Sequence, residues 1–189
     1  TAGDTQTVEV QAHEVAFASS AEEAKKIFDA EAAHINVSGN AVKIKSDGTE
    51  RGRVNLTVTV PKSAKVSINA GRGDVSVAGL GAGLDMSALH GDVHLNAITG
   101  TVQVHLSNNR HDFAAHQIAG DLIADGNCND LTISEIKGRL STNGQIFGEV
   151  HVENVTGPVS IHTSVTDVQI AALPGDLTFD SDNLRVNES

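Results

Sequence analysis

Nine histidines, 24 Asp or Glu residues and a single cysteine, Cys128, are the side chains in this 189-residue chain that could do chemistry. Imidazoles and carboxylates that converge can hold a divalent metal. A thiolate beside an imidazole is a nucleophile, and two opposed carboxylates cleave glycosidic bonds. Three constellations answer to these chemistries. His90, Asp92, His111 and Asp112, with His116 nearby, are the best metal candidates. His94, His105, His151 and His162 form a second group, and Cys128 stands alone. Arg72-Gly73-Asp74 also spells a short tripeptide used as a cell-adhesion signal, although such a match carries weight only in the right context.

What these residues can do depends on the elements that place them, and the chain is repetitive. Val75, Val93, Phe113, Leu131, Val150 and Val168 are separated by 18, 20, 18, 19 and 18 residues. Two residues after each come Val77, Leu95, Ala115, Ile133, Val152 and Ile170. Five after come Leu80, Ile98, Ile118, Ile136, Val155 and Leu173. Nine after come Leu84, Val102, Leu122, Leu140, Val159 and Leu177, and eleven after Met86, Val104, Ala124, Thr142, Ile161 and Phe179. Apolar-x-apolar triplets separated by turns are strands. A unit of this size cannot bury its own apolar face, but stacked units can. The predicted fold is all-β, a single-stranded parallel β-helix with about 18–20 residues per coil.

The step from first to second strand is constant at nine residues, and extra residues fall after the second strand, at Asn108 to His111 and near Gln145 to Phe147. The constant turn carries Gly100, Gly120, Gly138, Gly157 and Gly175. Either a positive φ or a close backbone approach would require glycine there. Just before each first strand stand Asp74, Asp92, Asp112, Asp130, Glu149 and Asp167. Their carboxylates would stack at the sheet spacing and accept backbone N–H bonds. Asp74 therefore has a structural role to play without any receptor.

The register also sorts the histidines. His94 and His151 point outward on first strands, His105 and His162 on second strands, and three coils, about 14 Å, part the members of each pair. They cannot share an ion. The His90, Asp92, His111 and Asp112 set lies on the loop side and is at most a weak site, so no metal or cofactor is assigned. The turns have one Gly and no second Asp at the spacing of calcium-binding β-rolls. The outward columns Ser76, His94, Ala114, Thr132, His151, Gln169 and Asp85, Gln103, Ile123, Ser141, Ser160, Thr178 assemble no carboxylate pair with an aromatic floor. The chain has no Trp or Tyr. No Cys-His-Asn or Gly-x-Ser-x-Gly pattern surrounds a nucleophile. The expectation is a protein without catalytic residues.

Upstream the register fades. Val8-Val10, Val15-Phe17, Ile35-Val37, Val42-Ile44 and Val54 to Val60 read as strands, with turns at Gly39-Asn40 and Asp47-Gly48. Residues 19–33 read as the one helix, capped by Ser19 or Ser20, with Glu22 and Glu23 in its first turn. This segment, 1–62, is expected to cap the repeats of 63–189 within a single domain, 1–189. A net charge of -11 disfavours nucleic acid as partner. No apolar run is long enough to cross a membrane as a helix. No leader is visible, and a start at Thr1 in place of Met is the pattern expected of a trimmed chain.

The stretch 54–80, with Val60-Pro61-Lys62, Val66-Ser67-Ile68 and Gly73-Asp74-Val75-Ser76-Val77, then Gly91-Asp92-Val93-His94-Leu95, resembles the bacterial adhesin family of Gly-Asp-Val repeat β-solenoid domains of unknown function. The resemblance covers roughly residues 54–180 and leaves out the helix. It implies a β-solenoid in the cell envelope or secreted, and brings no catalytic residues. The alternatives are a bactofilin-like filament-forming β-helix and a carbohydrate-active β-helix enzyme. At the C-terminal end Leu184 and Val186 begin a coil that is not completed, and Asp176, Asp180, Asp182 and Glu188 crowd it. That end is expected either to continue into further sequence or to pack against another copy, most simply as a two-fold dimer.

Overall fold

The computed structural model describes residues 2–3, 6–31, 33–39, 41–46, 51–107, 110–164 and 168–181. Asp167, Asn40, Asp47, Gly48, Asn108, Asp182, Leu184, Val186 and Glu188, named above, lie outside them. The chain divides into two compact units, Asp4–Pro61 and Lys62–Ser189, the second including Thr1–Gly3.

A two-residue strand, β1 (Ala2–Gly3), precedes the first unit. Within that unit β2 (Glu9–Ala16) pairs antiparallel with β5 (Gly52–Pro61), from Glu9 opposite Thr59 to Ala16 opposite Gly52. One strand thus spans both upstream segments expected around Val8-Val10 and Val15-Phe17. Between them lie α1 (Ala21–Glu31), which packs on β2 and β5, and the hairpin of β3 (His34–Ser38) and β4 (Ala41–Lys45). The helix starts at Ser20, whose Oγ accepts the Glu23 N–H at 3.2 Å. Glu23 reaches back and accepts from the Ser19 N–H at 2.9 Å and the Ser19 hydroxyl at 2.7 Å, and it also pairs with Arg51. This is a capping box shifted by one residue.

The second unit is a parallel β-solenoid of about six coils. One seven-stranded sheet stacks β6 (Val66–Ala70), β8 (Leu84–Ala88), β10 (Val102–Leu106), β12 (Leu122–Gly126), β14 (Leu140–Asn143), β16 (Val159–Thr163) and β18 (Leu177–Ser181). The other, six-stranded, stacks β7 (Val75–Ala78), β9 (Val93–Thr99), β11 (Phe113–Ala119), β13 (Leu131–Ile136), β15 (Val150–Val155) and β17 (Val168–Ala171). Val75 pairs with Val93, Val93 with Phe113, Phe113 with Leu131, Leu131 with Val150, and Val150 with Val168. Leu84, Val102, Leu122, Leu140, Val159 and Leu177 form the matching ladder in the other sheet. Between the end coils these columns are sealed: Phe113, Ile118, Leu122, Ile133, Ile136, Leu140, Val152 and Val155 are each 0% exposed.

Inward residues fall at strand positions zero, two and five, which breaks the period of two. The break has a backbone cause. Gly79, Ala97, Gln117, Glu135, Asn154 and Ala172, four residues into each first strand, all adopt a left-handed conformation with φ of 53–76°. The same left-handed residue recurs in register in every coil and moves the inward frame by one residue. Five of the six are not glycine, and each L residue there costs roughly 1–2 kcal/mol, which the burial of the next residue, Ile98, Ile118, Ile136 or Val155, offsets in four of the five.

The glycine column has the other of its two possible causes. Only Gly100 is left-handed, at φ 94°. A Cβ on Gly120, Gly138, Gly157 or Gly175 would stand 2.2–2.8 Å from the carbonyl oxygen of the glycine one coil below. The coils approach so closely at this corner that no side chain fits.

Candidate functional site

The acidic column is a hydrogen-bonded ladder. Asp74 Oδ1 accepts the Asp92 N–H at 3.0 Å, and Asp92 Oδ1 accepts the Asp112 N–H at 3.1 Å. Asp112 Oδ1 accepts the Asp130 N–H at 3.2 Å, and Asp130 Oδ1 accepts the Glu149 N–H at 2.8 Å. The carbonyls of Asp92, Asp112, Asp130 and Glu149 in turn accept from Val75, Val93, Phe113 and Leu131 at 2.8–2.9 Å. Each carboxylate thus satisfies the one backbone donor that the strand ladder leaves over at this corner. Asp74 is exposed like Arg72, but its Oδ1 is taken by the backbone of the next coil. The same device recurs at a second corner, where Asp121 Oδ1 accepts the Arg139 N–H at 2.9 Å and Asp121 Oδ2 the Arg139 guanidinium at 3.2 Å.

Of the loop-side metal candidates, His111 and Asp92 approach to 3.5 Å, Nδ1 to Oδ1. His90 and Asp112 do not complete a cluster with them: among the described residues no three His, Cys, Asp or Glu side chains converge on one point. His116 is not a loop residue. It lies in β11 with its imidazole on the outer face of the six-stranded sheet, because the register puts it level with Ser134. His116 Nδ1 is 2.7 Å from Ser134 Oγ, and its Nε2 is 3.8 Å from Glu135 Oε1. Serine, imidazole and carboxylate in that order are the parts of a nucleophilic relay. Here the carboxylate leg is longer than a hydrogen bond. The group also stands on an open sheet face rather than in a concavity. His151 and Glu153, 3.7 Å apart, extend the same face, and His162 meets Asp180 at 3.1 Å on the other sheet.

Cys128 is in the turn that tolerates insertions, but it points inward and is 2% exposed. It bridges to Ile146, also buried at 5%. Both fill the corner that Gly126 and Gly144 leave empty, where Ala88, Leu106 and Thr163 stand in other coils. Burial, then the charges of Asp112 and Asp130, push the thiol up to about 12. It is therefore not a nucleophile at neutral pH. Over this corner the Arg110 guanidinium sits 5.1 Å from the Phe147 ring centroid.

Stacked coils, an apolar interior and a turn ladder of carboxylates define a β-solenoid repeat domain. A family model, Toastrack DUF4097, matches residues 1–187, and the chain belongs to that family of domains of unknown function. Comparisons with curated proteins and with solved structures found no match. Among the described residues no helix is long and apolar enough to cross a membrane.

Proposed function

We propose that this chain is a non-enzymatic scaffold of the bacterial cell envelope or exterior, an adhesin-like module that binds through the outer faces of its two sheets. One observation carries the reading. The interior is filled by stacked apolar columns, so His94, His116, Ser134, Glu135, His151 and Glu153 stand together on an outer face. Such a face offers rows of polar side chains at about 4.8 Å intervals, suited to an extended macromolecule more than to a small substrate. The envelope location rests on the resemblance to the Gly-Asp-Val repeat domains. Fractionation of cells producing the full gene product tests the location. Binding to intact cells or purified envelope tests the role, with Ser134→Arg and His151→Glu placed on the face to block it. Turnover of glycan or ester substrates that is lost in Ser134→Ala would replace this reading with an enzymatic one.

A second observation favours limited self-association. In the last described coil Val168, Ile170 and Leu173 are only half-buried and Leu177 is 48% exposed, and β17 and β18 end their sheets. Exposed apolar core and strand edges pair readily. Asp176 and Asp180 are exposed at the same end and oppose indefinite stacking. A closed two-fold pair is the assembly proposed. Light scattering over a concentration series should give a dimer that Leu177→Asp disperses. A strict monomer, or filaments in electron micrographs, would exclude it.

A further inference from the structure

The hairpin of β3 and β4 in the first unit is amphipathic and has no sheet neighbour. Ile35 stands opposite Ile44 and Val37 opposite Val42, so the four side chains share one face. His34 opposite Lys45 and Asn36 opposite Lys43 occupy the other. The two strands form a sheet by themselves. Ile35 is 52%, Val37 68% and Val42 38% exposed and Ile44 is half-buried, whereas solenoid strands between the end coils bury their inward apolar positions. An antiparallel ribbon alternating in this way is built to cover its apolar face, and alone it is only marginally stable.

We propose that this hairpin docks reversibly on an anionic lipid surface. Charge selects the occupant. Residues 33–46 contain Lys43 and Lys45 and no Asp or Glu, in a chain of net charge -11. This apolar ribbon is thus locally cationic on an acidic molecule. Val37 and Val42 flank the turn, where Gly39 is left-handed at φ 58°, and Lys43 follows Val42 directly. A hairpin lying in the interface sets Ile35, Val37 and Val42 against the acyl boundary, and the long stems of Lys43 and Lys45 reach the headgroups. A second copy fits less well. Four aliphatic side chains fall far short of the roughly 800 Å² per partner that a stable dimer buries. A lipid interface needs no shape complementarity, and weak apolar insertion plus charge suffices for reversible binding.

Co-sedimentation of the full chain with vesicles of equal parts phosphatidylglycerol and phosphatidylcholine tests this. The parent should pellet with these vesicles, stay in solution with phosphatidylcholine alone, and be released by salt. Val37→Asp, at an exposed position, should weaken binding at least about tenfold, and Lys43→Glu with Lys45→Glu severalfold. The melting temperature of each variant should match the parent. No pelleting with anionic vesicles, equal pelleting with the neutral ones, or unchanged binding of Val37→Asp would overturn the proposal. So would a dimer in lipid-free solution that Val37→Asp disperses, because the occupant would then be a second copy.

Discussion

Asp92 Oδ1 takes the backbone N–H of Asp112, 3.1 Å away, while the Asp92 N–H goes to Asp74 Oδ1 at 3.0 Å. One side chain in each coil thereby completes the hydrogen bonding of the next. An amide oxygen can replace the carboxylate, so Asp92→Asn should change stability by less than about 0.5 kcal/mol. Asp92→Leu leaves the part-buried Asp112 donor without its acceptor and should cost about 1–3 kcal/mol. Urea unfolding of the two variants checks the contrast. Millimolar Ca²⁺ should move the melting temperature little, since the facing oxygens are already occupied by N–H groups.

Gly157 and Gly71 should respond oppositely to alanine. A Cβ at Gly157 would meet the Gly138 carbonyl oxygen at 2.4 Å, whereas at Gly71 nothing lies within 4 Å. Gly157→Ala should destabilise by about 1–3 kcal/mol through overpacking against backbone. Gly71→Ala should be neutral or slightly stabilising. Paired thermal melts measure both.

Thr142 interrupts the column formed by Met86, Val104, Ala124 and Ile161. It is 4% exposed, and its Oγ1 is buried with no hydrogen-bond partner. Thr142→Val keeps the shape and removes the stranded hydroxyl. It should raise stability by about 1 kcal/mol, or the melting temperature by about 2–4 °C.

Glu23 gives the first unit an acid limit. The Ser19 hydroxyl, the Ser19 N–H and Arg51 hold its carboxyl down at about 2 against an ordinary 4.5. Its folded value is depressed, so its stabilisation is present above about pH 4.5 and is lost as pH falls through about 2. Glu23→Gln should remove this part of the acid response and fray the start of α1. Chemical shifts of the Ser19 and Glu23 amides followed from about pH 6 to about pH 1 would show it, with the midpoint near 2 and not at the usual carboxylate value of about 4.

The repeat was legible because a parallel stack pairs each residue with its equivalent one coil away. Val93 lies over Val75 in space just as it aligns with it in sequence. Side chains that depend on local backbone geometry were not legible. Ala97, Gln117, Glu135, Asn154 and Ala172 share a left-handed conformation without sharing a residue type. Their only trace is the three-residue step from Ile133 to Ile136 and its equivalents. The inward turn of Cys128 and Ile146 was hidden because both lie in segments of unequal length, where columns cannot be counted. The contact of His116 with Ser134 was within reach, since both stand three residues into adjacent first strands.

The stacked register is the claim on which the rest depends, and neighbouring residues in β13 test it most directly. Ile133 is 0% exposed in the middle of the stack, and Thr132 beside it faces solvent. An unpaired buried charge costs several kcal/mol of the roughly 5–15 kcal/mol that holds a domain together. Circular dichroism melts of Ile133→Asp and Thr132→Asp are the measurement. Ile133→Asp should be unfolded or melt far below the parent, and Thr132→Asp should melt within a few degrees of it. An Ile133→Asp protein that melts with the parent would show that β13 does not face the core as described.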